Sequence, residues 1–369
     1  MPGQGAGDVT VRDIALMLKQ EAERVCWFLF PNGRVLGGYF QIGSVDGEPG
    51  QSLKVTLRGP KRGGWTDFTQ PKGSDRGNGD MLDLIQQALG LDKRGAIEEA
   101  KRFLHIENMD PNLIARQRER ARVAQERAER KAAGKIESRR RHAHQLWRTS
   151  SPLVPSSPPV KYLQHRGIDF AHLGKLPGAI RFKPDMIHAE LGRDRPQPAM
   201  ITRMIALDGT TAAAHITYLE RRPDGVWTKL RAVESKKKIL GPAWDVGAHI
   251  PLWKGAQDCT LRDIAPGTEV ECSEGIEDGF SFAMANPGAR VIAGGTLGLI
   301  GRVQLPPQAG QFNILAQRDT EEQAIETLKE SIRQQQLRGR EDRSNRIVAC
   351  RWPPPGIKDW NDWLRGEVR

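Results

Sequence analysis

Carboxylates at three places near the C-terminus have the spacing of one shared site. Glu274 follows the apolar run Val270-Glu271-Cys272-Ser273 and opens Glu274-Gly275-Ile276-Glu277-Asp278. Asp319 and Glu321 follow Asn313-Ile314-Leu315-Ala316-Gln317-Arg318, and Asp359 and Asp362 lie in Lys358-Asp359-Trp360-Asn361-Asp362. Acids at strand ends collect metal and phosphate chemistry along one edge of an α/β sheet. Glu274, one residue past a strand, can serve as general acid or base, as a water-mediated metal partner, or as a helix cap, and Gly275 permits a close turn. Glu277 and Asp278 suit the first helical turn, where negative charge favours the dipole. Asp319 and Glu321 can share a divalent cation, because Mg²⁺ accepts one or two carboxylates plus phosphate oxygens. Equally, Asp319 can cap the helix that follows. Asp359 or Asp362 can join the edge, and Asn361 suits an Asx turn. Upstream, Lys236-Lys237-Lys238 beside Gly241 can hold phosphates, and Trp244 and Trp253 can stack on bases or fill a core.

The elements that position these groups alternate. Strands are expected over Glu269–Ser273, Arg290–Ala293, Phe312–Gln317 and Arg346–Arg351, with helices over Glu277–Ala285, Leu297–Val303 and Glu321–Leu337. Such βαβα order implies a parallel sheet with flanking helices. Before it, strands over Ile180–Lys183, Ala199–Ala206, Ala212–Glu220 and Trp227–Ala232 are joined by Asp208-Gly209 and Asp224-Gly225 turns, an antiparallel, β-rich region. The N-terminal part is α+β. A helix capped by Asp8 runs through Glu23, strands Arg34–Phe40, Ser52–Arg58 and Gly64–Phe68 follow, and two helices begin at Asp80 and Ala96. The units expected are 1–106, a connector at 107–159, a β-rich subdomain at 160–266 and the α/β domain at 267–369.

The connector carries most of the charge. Between Arg116 and Arg148 stand twelve Lys/Arg and four Glu, so this segment supplies eight of the eleven net positive charges, with Arg139-Arg140-Arg141 as its densest run. Clustered cations release counterions from a nucleic-acid backbone, although a solvated Arg/Glu helix face has the same composition. Its few apolar anchors predict a projecting helix that buries little surface, ended by the Ser/Pro-rich run Ser150–Pro159.

Other function classes are disfavoured. No apolar stretch approaches the ~20 residues of a membrane helix, and the N-terminus lacks an export signal, which predicts a cytoplasmic protein. Cys26, Cys259, Cys272 and Cys350 form no C-x-x-C pair, so neither disulfides nor a zinc ribbon is expected. The chain has no G-x-x-x-x-G-K-[ST] motif, so a helicase motor would have to come from a partner.

Together these residues resemble the Toprim-domain primase-like proteins of phages, plasmids and integrated elements, within the DNA primase family. Glu274-Gly275-Ile276-Glu277-Asp278 looks like its E-G-I-E-[TS] motif. Ala293-Gly294-Gly295-Thr296 is similar to its glycine-rich turn, and Asp359-Trp360-Asn361-Asp362-Trp363-Leu364 to its closing motif. Tyr162-Leu163-Gln164-His165-Arg166-Gly167-Ile168 resembles its Y-L-x-x-R-G-I segment. Lys238–Pro242 through Ile250–Gly255 resembles the basic stretch before Toprim, and Ser52–Leu57, Gly64–Phe68 and Gly79–Ile85 the zinc-ribbon region.

The resemblance implies a C-terminal Toprim domain and Mg²⁺- or Mn²⁺-dependent synthesis of ribonucleotide primers on single-stranded DNA. Ribonucleoside triphosphates would be the substrates and a separate replicative helicase a partner, in a bacterial host cell. Glu274 would be catalytic, Asp319, Glu321 and Asp359 would hold metal, and Lys236, Lys237, Lys238, Lys254 and Arg139 to Arg141 would contact phosphates. Two departures stand out. The zinc ligands are missing, so no zinc is expected. The family's D-x-D becomes Gln317-Arg318-Asp319, or in a shifted register Asp319-Thr320-Glu321, which weakens the metal site. A catalytically degenerate DNA-binding or helicase-recruiting factor and a Toprim-type nicking enzyme are the alternatives.

Overall fold

The computed structural model describes residues 9–70, 77–106 and 110–367. The chain forms two compact units, Met1–Lys135 and Ile136–Arg369. In the first, Asp8 lies outside the described residues and Thr10 caps α1 (Val11–Gln20). Its side chain accepts from Asp13 N–H while Asp13 reaches back to the Thr10 N–H, a capping box. The helix expected through Glu23 breaks at Glu21 (φ −97°, ψ 15°), and α2 (Ala22–Leu29) restarts beyond it.

Arg34–Phe40, expected as one strand, is a hairpin of β1 (Arg34–Leu36) and β2 (Tyr39–Ile42), because Gly37 and Gly38 both take positive φ. With β3 (Leu53–Thr56), β4 (Trp65–Asp67) and β5 (Asn78–Gly79) they form an antiparallel sheet in chain order. Period-2 alternation turns Phe40, Ile42, Leu53, Val55 and Trp65 into a core with α1, α2, α3 (Met81–Ala88) and α4 (Lys93–Phe103).

The basic helix is α5 (Pro111–Thr149). The expectation that it buries little is corrected at both ends. Ala121 is buried in the first unit's core beside Ile114, and Arg118 pairs with Asp13 at 2.7 Å. In the second unit Ala143 is buried, with Leu146 and Trp147 packed beside it. Alanine supplies the contact, because its small side chain lets a helix lie close to its support.

The second unit begins with β6 (Ser151–Pro152) and α6 (Pro158–His165). An antiparallel sheet of β10 (Trp227–Lys229), β9 (Thr211–Arg221), β8 (Gly192–Ile205), β7 (Ile180–His188) and β6 follows. The lysine run, expected beside a turn, is itself a strand, β11 (Lys237–Leu240), paired with β9. After α7 (Ala243–Val246), β12 (Ile250–Trp253) crosses to the other sheet. That sheet runs β12-β14-β13-β15-β16, with β13 (Thr268–Ser273), β14 (Arg290–Ala293), β15 (Ala309–Leu315) and β16 (Ile347–Arg351) parallel. The purely parallel expectation is corrected at the edge, where β12 is antiparallel to β14.

Val270, Cys272, Phe312 and Ile314 share a core with Leu328 and Ile332 of α10 (Glu322–Glu341). Phe280 and Ala283 of α8 (Ile276–Ala285) belong to another with Ala293, Leu315 and Trp360, the last in α11 (Trp360–Arg365). The short α9 (Leu297–Ile300) follows β14. Gly279 sets how closely α8 approaches the sheet: a Cβ there would stand 2.3 Å from Leu252 Cδ1 and 2.6 Å from Ser273 Oγ. Among the described residues no helix is long and apolar enough to cross a membrane.

Two buried histidines give the second unit a pH dependence. Burial, with Lys237 nearby, pushes His215 down to about 3, and burial with Arg290 nearby pushes His249 down to about 4. A base whose folded pKa is depressed stabilises the fold above its unfolded pKa of about 6.5, and that contribution is lost as pH falls. The urea midpoint should therefore drop between about pH 7 and pH 4. A chain carrying His215→Gln and His249→Gln should show a shallower drop across that window; an identical slope would refute the assignment.

Candidate acidic site

The site lies at the C-terminal ends of β13 and β15, where α8, α9 and α11 begin. Glu274 is the first residue past β13, and Gly294 N and Gly295 N donate to the Ser273 and Glu274 carbonyls at 2.9 Å each, fastening the end of β14 to β13. Gly275 is extended (φ −98°), so the turn does not require glycine's left-handed freedom. The space is what matters, since a Cβ there would meet Glu277 Oε2 at 3.3 Å. Glu274 and Asp319 line one small cavity of about 60 Å³ with Leu297, Leu315, Gln317 and Trp352. Burial raises the Glu274 pKa, Lys237 pulls it down and the Asp319 carboxylate pushes it up.

Asp319 does not cap α10. That position is Glu321, which makes no side-chain cap bond and is exposed. Lys358 Nζ stands 3.8 Å from Asp319 Oδ1. Asp359 is the N-cap of α11, its side chain accepting from Asp362 N–H at 2.7 Å.

Glu277 and Asp278 do more than favour a dipole, because both are buried. Glu277 accepts from the Tyr162 hydroxyl and pairs with Lys229 at 2.7 Å. Burial alone would raise its pKa, but Lys229, Lys237 and the Tyr162 hydrogen bond hold it well below the usual carboxylate range. Asp278 accepts from Gln317 Nε2 at 2.6 Å and from Asn361 N–H at 3.1 Å. Burial, then the Asp359 carboxylate, push it up to about 7. Asn361 forms no Asx turn; its amide donates to the Arg166 carbonyl at 2.8 Å and to Ser281 Oγ at 2.9 Å. Sequence reasoning missed Tyr162, Lys229, Gln317 and Asn361 as parts of this network. Tyr162, Gln317 and Asn361 carried a signal, as members of motifs, and Lys229 carried none.

Two carboxylate pairs therefore stand at the sheet edge, Glu274 with Asp319 and Asp278 with Asp359. Hard carboxylate oxygens around a small cavity suit Mg²⁺ or Mn²⁺ in kind, with two carboxylates at each place and no cluster of three or more ligating side chains among the described residues. Gln317 offers its amide to Asp278, while Arg318 donates to the Pro353 carbonyl at 2.8 Å.

The cations divide by role. Lys237 on β11 is half-buried and acts electrostatically on Glu274 and Glu277, while Lys236 and Lys238 are exposed. Lys254 lies elsewhere, 3.6 Å from Asp258. Arg139 donates to the Gly241 carbonyl at 2.8 Å and Arg140 to Thr210, so both tie α5 to the second unit, whereas Arg141 is exposed. Trp244 is exposed beneath Arg302, and Trp253 donates its indole N–H to Pro287 O. In the first unit, Arg58, Arg120, Arg127 and Lys131 line a groove between α5 and the β3–β4 turn, and Lys54 lies over the exposed Phe68 ring.

A domain of unknown function (DUF7146) matches residues 137–250. No curated protein matches the chain in sequence. Among solved structures, the Aquifex aeolicus primase (zinc-binding and RNA polymerase domains) is similar at 12% identity and a TM-score of 0.38, over 96% of this chain and 82% of that one. A DNA primase domain from Pseudomonas aeruginosa gives 14% and 0.40 over 63% and 75%, and the E. coli primase catalytic core 13% and 0.39 over 63% and 76%. Scores this low leave the chemistry to be argued from the chain's own residues.

The network makes a stability prediction. Removing one partner of a buried ion pair leaves the other uncompensated, so Glu277→Ala should cost about 3–5 kcal/mol in urea unfolding. Adding Lys229→Met should cost less than the sum of the two single changes; additive effects would show that the pair is not coupled.

Proposed function

We propose that this chain is a primase-like nucleotidyltransferase that extends ribonucleotides on single-stranded DNA at the Glu274–Asp319 edge. The observation that carries the reading is the pairing of these two acids at the C-terminal end of a parallel sheet, with Lys237 acting on Glu274. A Toprim arrangement is part of the proposal, as are residues 1–106 as a zinc-free template-contacting unit, 107–159 as basic connector, 160–266 as β-rich subdomain and 267–369 as catalytic domain. Asp319 would hold Mg²⁺ or Mn²⁺, with Glu321 and Asp359 as the further metal-holding acids; bound there, the ion would neutralise charge on the triphosphate.

The protein groups do the rest. Glu274, its pKa raised by burial, is suited to take the proton of the primer 3′ hydroxyl as that oxygen bonds to the α-phosphorus and pyrophosphate leaves. Lys236, Lys237 and Lys238 hold the phosphates, while Arg141 of α5 and the basic groove of the first unit track the template backbone. A replicative helicase would be supplied by a separate chain.

One observation favours a second reading, a degenerate primase that binds DNA without catalysis. Gln317, which in one register stands where the resembled motif has an acid, is committed to Asp278, and Lys358 stands beside Asp319. Primer synthesis on single-stranded DNA with labelled ribonucleotides, with and without Mg²⁺ and Mn²⁺, separates the two. Metal-dependent incorporation should fall at least ~100-fold in Glu274→Ala while template affinity stays within about twofold. Unchanged synthesis would sink the role of Glu274, and salt-sensitive DNA binding without incorporation would establish the second reading.

A further inference from the structure

The second unit contains a cavity of about 380 Å³ whose lining includes none of Glu274, Asp319, Asp359 or the lysines of β11. Its walls come from the Phe170–Ala179 loop, β8, β12, α8, β14 and the turn at Cys259. The size is that of a small-molecule site. Phe170, Trp253 and Phe280 supply aromatic walls, Lys175, Lys254, Arg203 and Arg290 supply cations, and no carboxylate belongs to the lining.

Two of these cations are ion-paired and a third has its hydrogen bonds met. Lys175 and Lys254 share Asp258 at 3.0 and 3.6 Å, and Arg203 donates to Thr211 Oγ1 and the Gly209 carbonyl. Arg290 differs. It is 6% exposed, donates to the Cys259 carbonyl at 2.9 Å and to its sulfur at 3.2 Å, and among the described residues makes no ion pair, the Asp258 carboxylate acting on it only at longer range. Its Nε has no hydrogen-bond partner among the described residues. His249, 1% exposed in the same lining, has both ring nitrogens unpartnered among them. Buried charges are ordinarily paired and buried polar atoms ordinarily bonded, so an incompletely bonded guanidinium and an unbonded imidazole in one cavity wall are groups that an anionic ligand would complete. Burial keeps His249 neutral at physiological pH, with one donor and one acceptor to offer.

We propose that this cavity binds a small aromatic carboxylate, its ring among Phe170, Trp253 and Phe280 and its anionic group against Arg290 and His249. The inference does not depend on the acidic edge, and its test does not read nucleotide incorporation.

The probe is naphthalene-2-carboxylate, titrated calorimetrically into the whole chain, with the uncharged 2-naphthylmethanol as comparison. Saturable binding of the carboxylate is expected at one site, with the alcohol at least about tenfold weaker, because a charged hydrogen bond is lost. Arg290→Gln should weaken the carboxylate by about tenfold or more. Gly178→Phe tests the site without touching Arg290: Gly178 is exposed at the rim, and a Cβ there meets nothing within 4 Å, so the ring has room to cover the mouth without strain. It should reduce affinity for both compounds while thermal melting is unchanged. No saturable binding, equal affinity for acid and alcohol, or full affinity in Gly178→Phe would each overturn the proposal.

Discussion

Glu277 and Asp278 are neighbouring carboxylates buried at the start of α8, and the surrounding elements are arranged so that both can stay there. Two charges this close in a low-dielectric setting cannot both ionise freely, and they are separated by environment. Lys229 and the Tyr162 hydroxyl keep Glu277 ionised, whereas burial and then the Asp359 carboxylate raise the proton affinity of Asp278 against the Gln317 and Asn361 donors, which lower it. One acid anchors the antiparallel sheet through β10, and the other anchors α11 and the end of β15.

That division explains why distant segments are held to one point. Tyr162 lies on α6, Lys229 on β10, Gln317 just beyond β15 and Asn361 on α11, yet each ends on one of the two acids. Arg166 closes the circle by accepting from Asn361. The Y-L-x-x-R-G-I segment is thus a buttress of the acidic edge. With these supports fixed, Glu274 and Asp319 keep their placement beside one small cavity.

The basic residues show the opposite economy. Within α5 some cations are structural, as with Arg118 on Asp13 and Arg139 on the Gly241 carbonyl, and others remain exposed. Charge count along the helix therefore overstates the surface available to phosphates. The cavity around Arg290 is a separate matter, since there a buried cation makes no close ion pair among the described residues, Asp258 acting on it only at longer range.

Much was legible in the chain itself. Period-2 runs, glycine turns and βαβα alternation placed the parallel strands β13 to β16, and Glu274 and Asp359 stand at element ends as expected, because these signals are local, whereas Asp319 lies in the loop between β15 and α10. The antiparallel entry of β12, the pairing of β11 with β9, and the anchoring of α5 by Ala121 and Ala143 were not legible, since edge pairing and small-residue contacts leave no periodic trace. Nor were the partners of Glu277 and Asp278. Whether an acid at a helix start is a solvated dipole partner or a buried anchor depends on what packs against it. Lys229 and Tyr162 reach Glu277 from 48 and 115 positions away in the chain, and only tertiary packing brings them there.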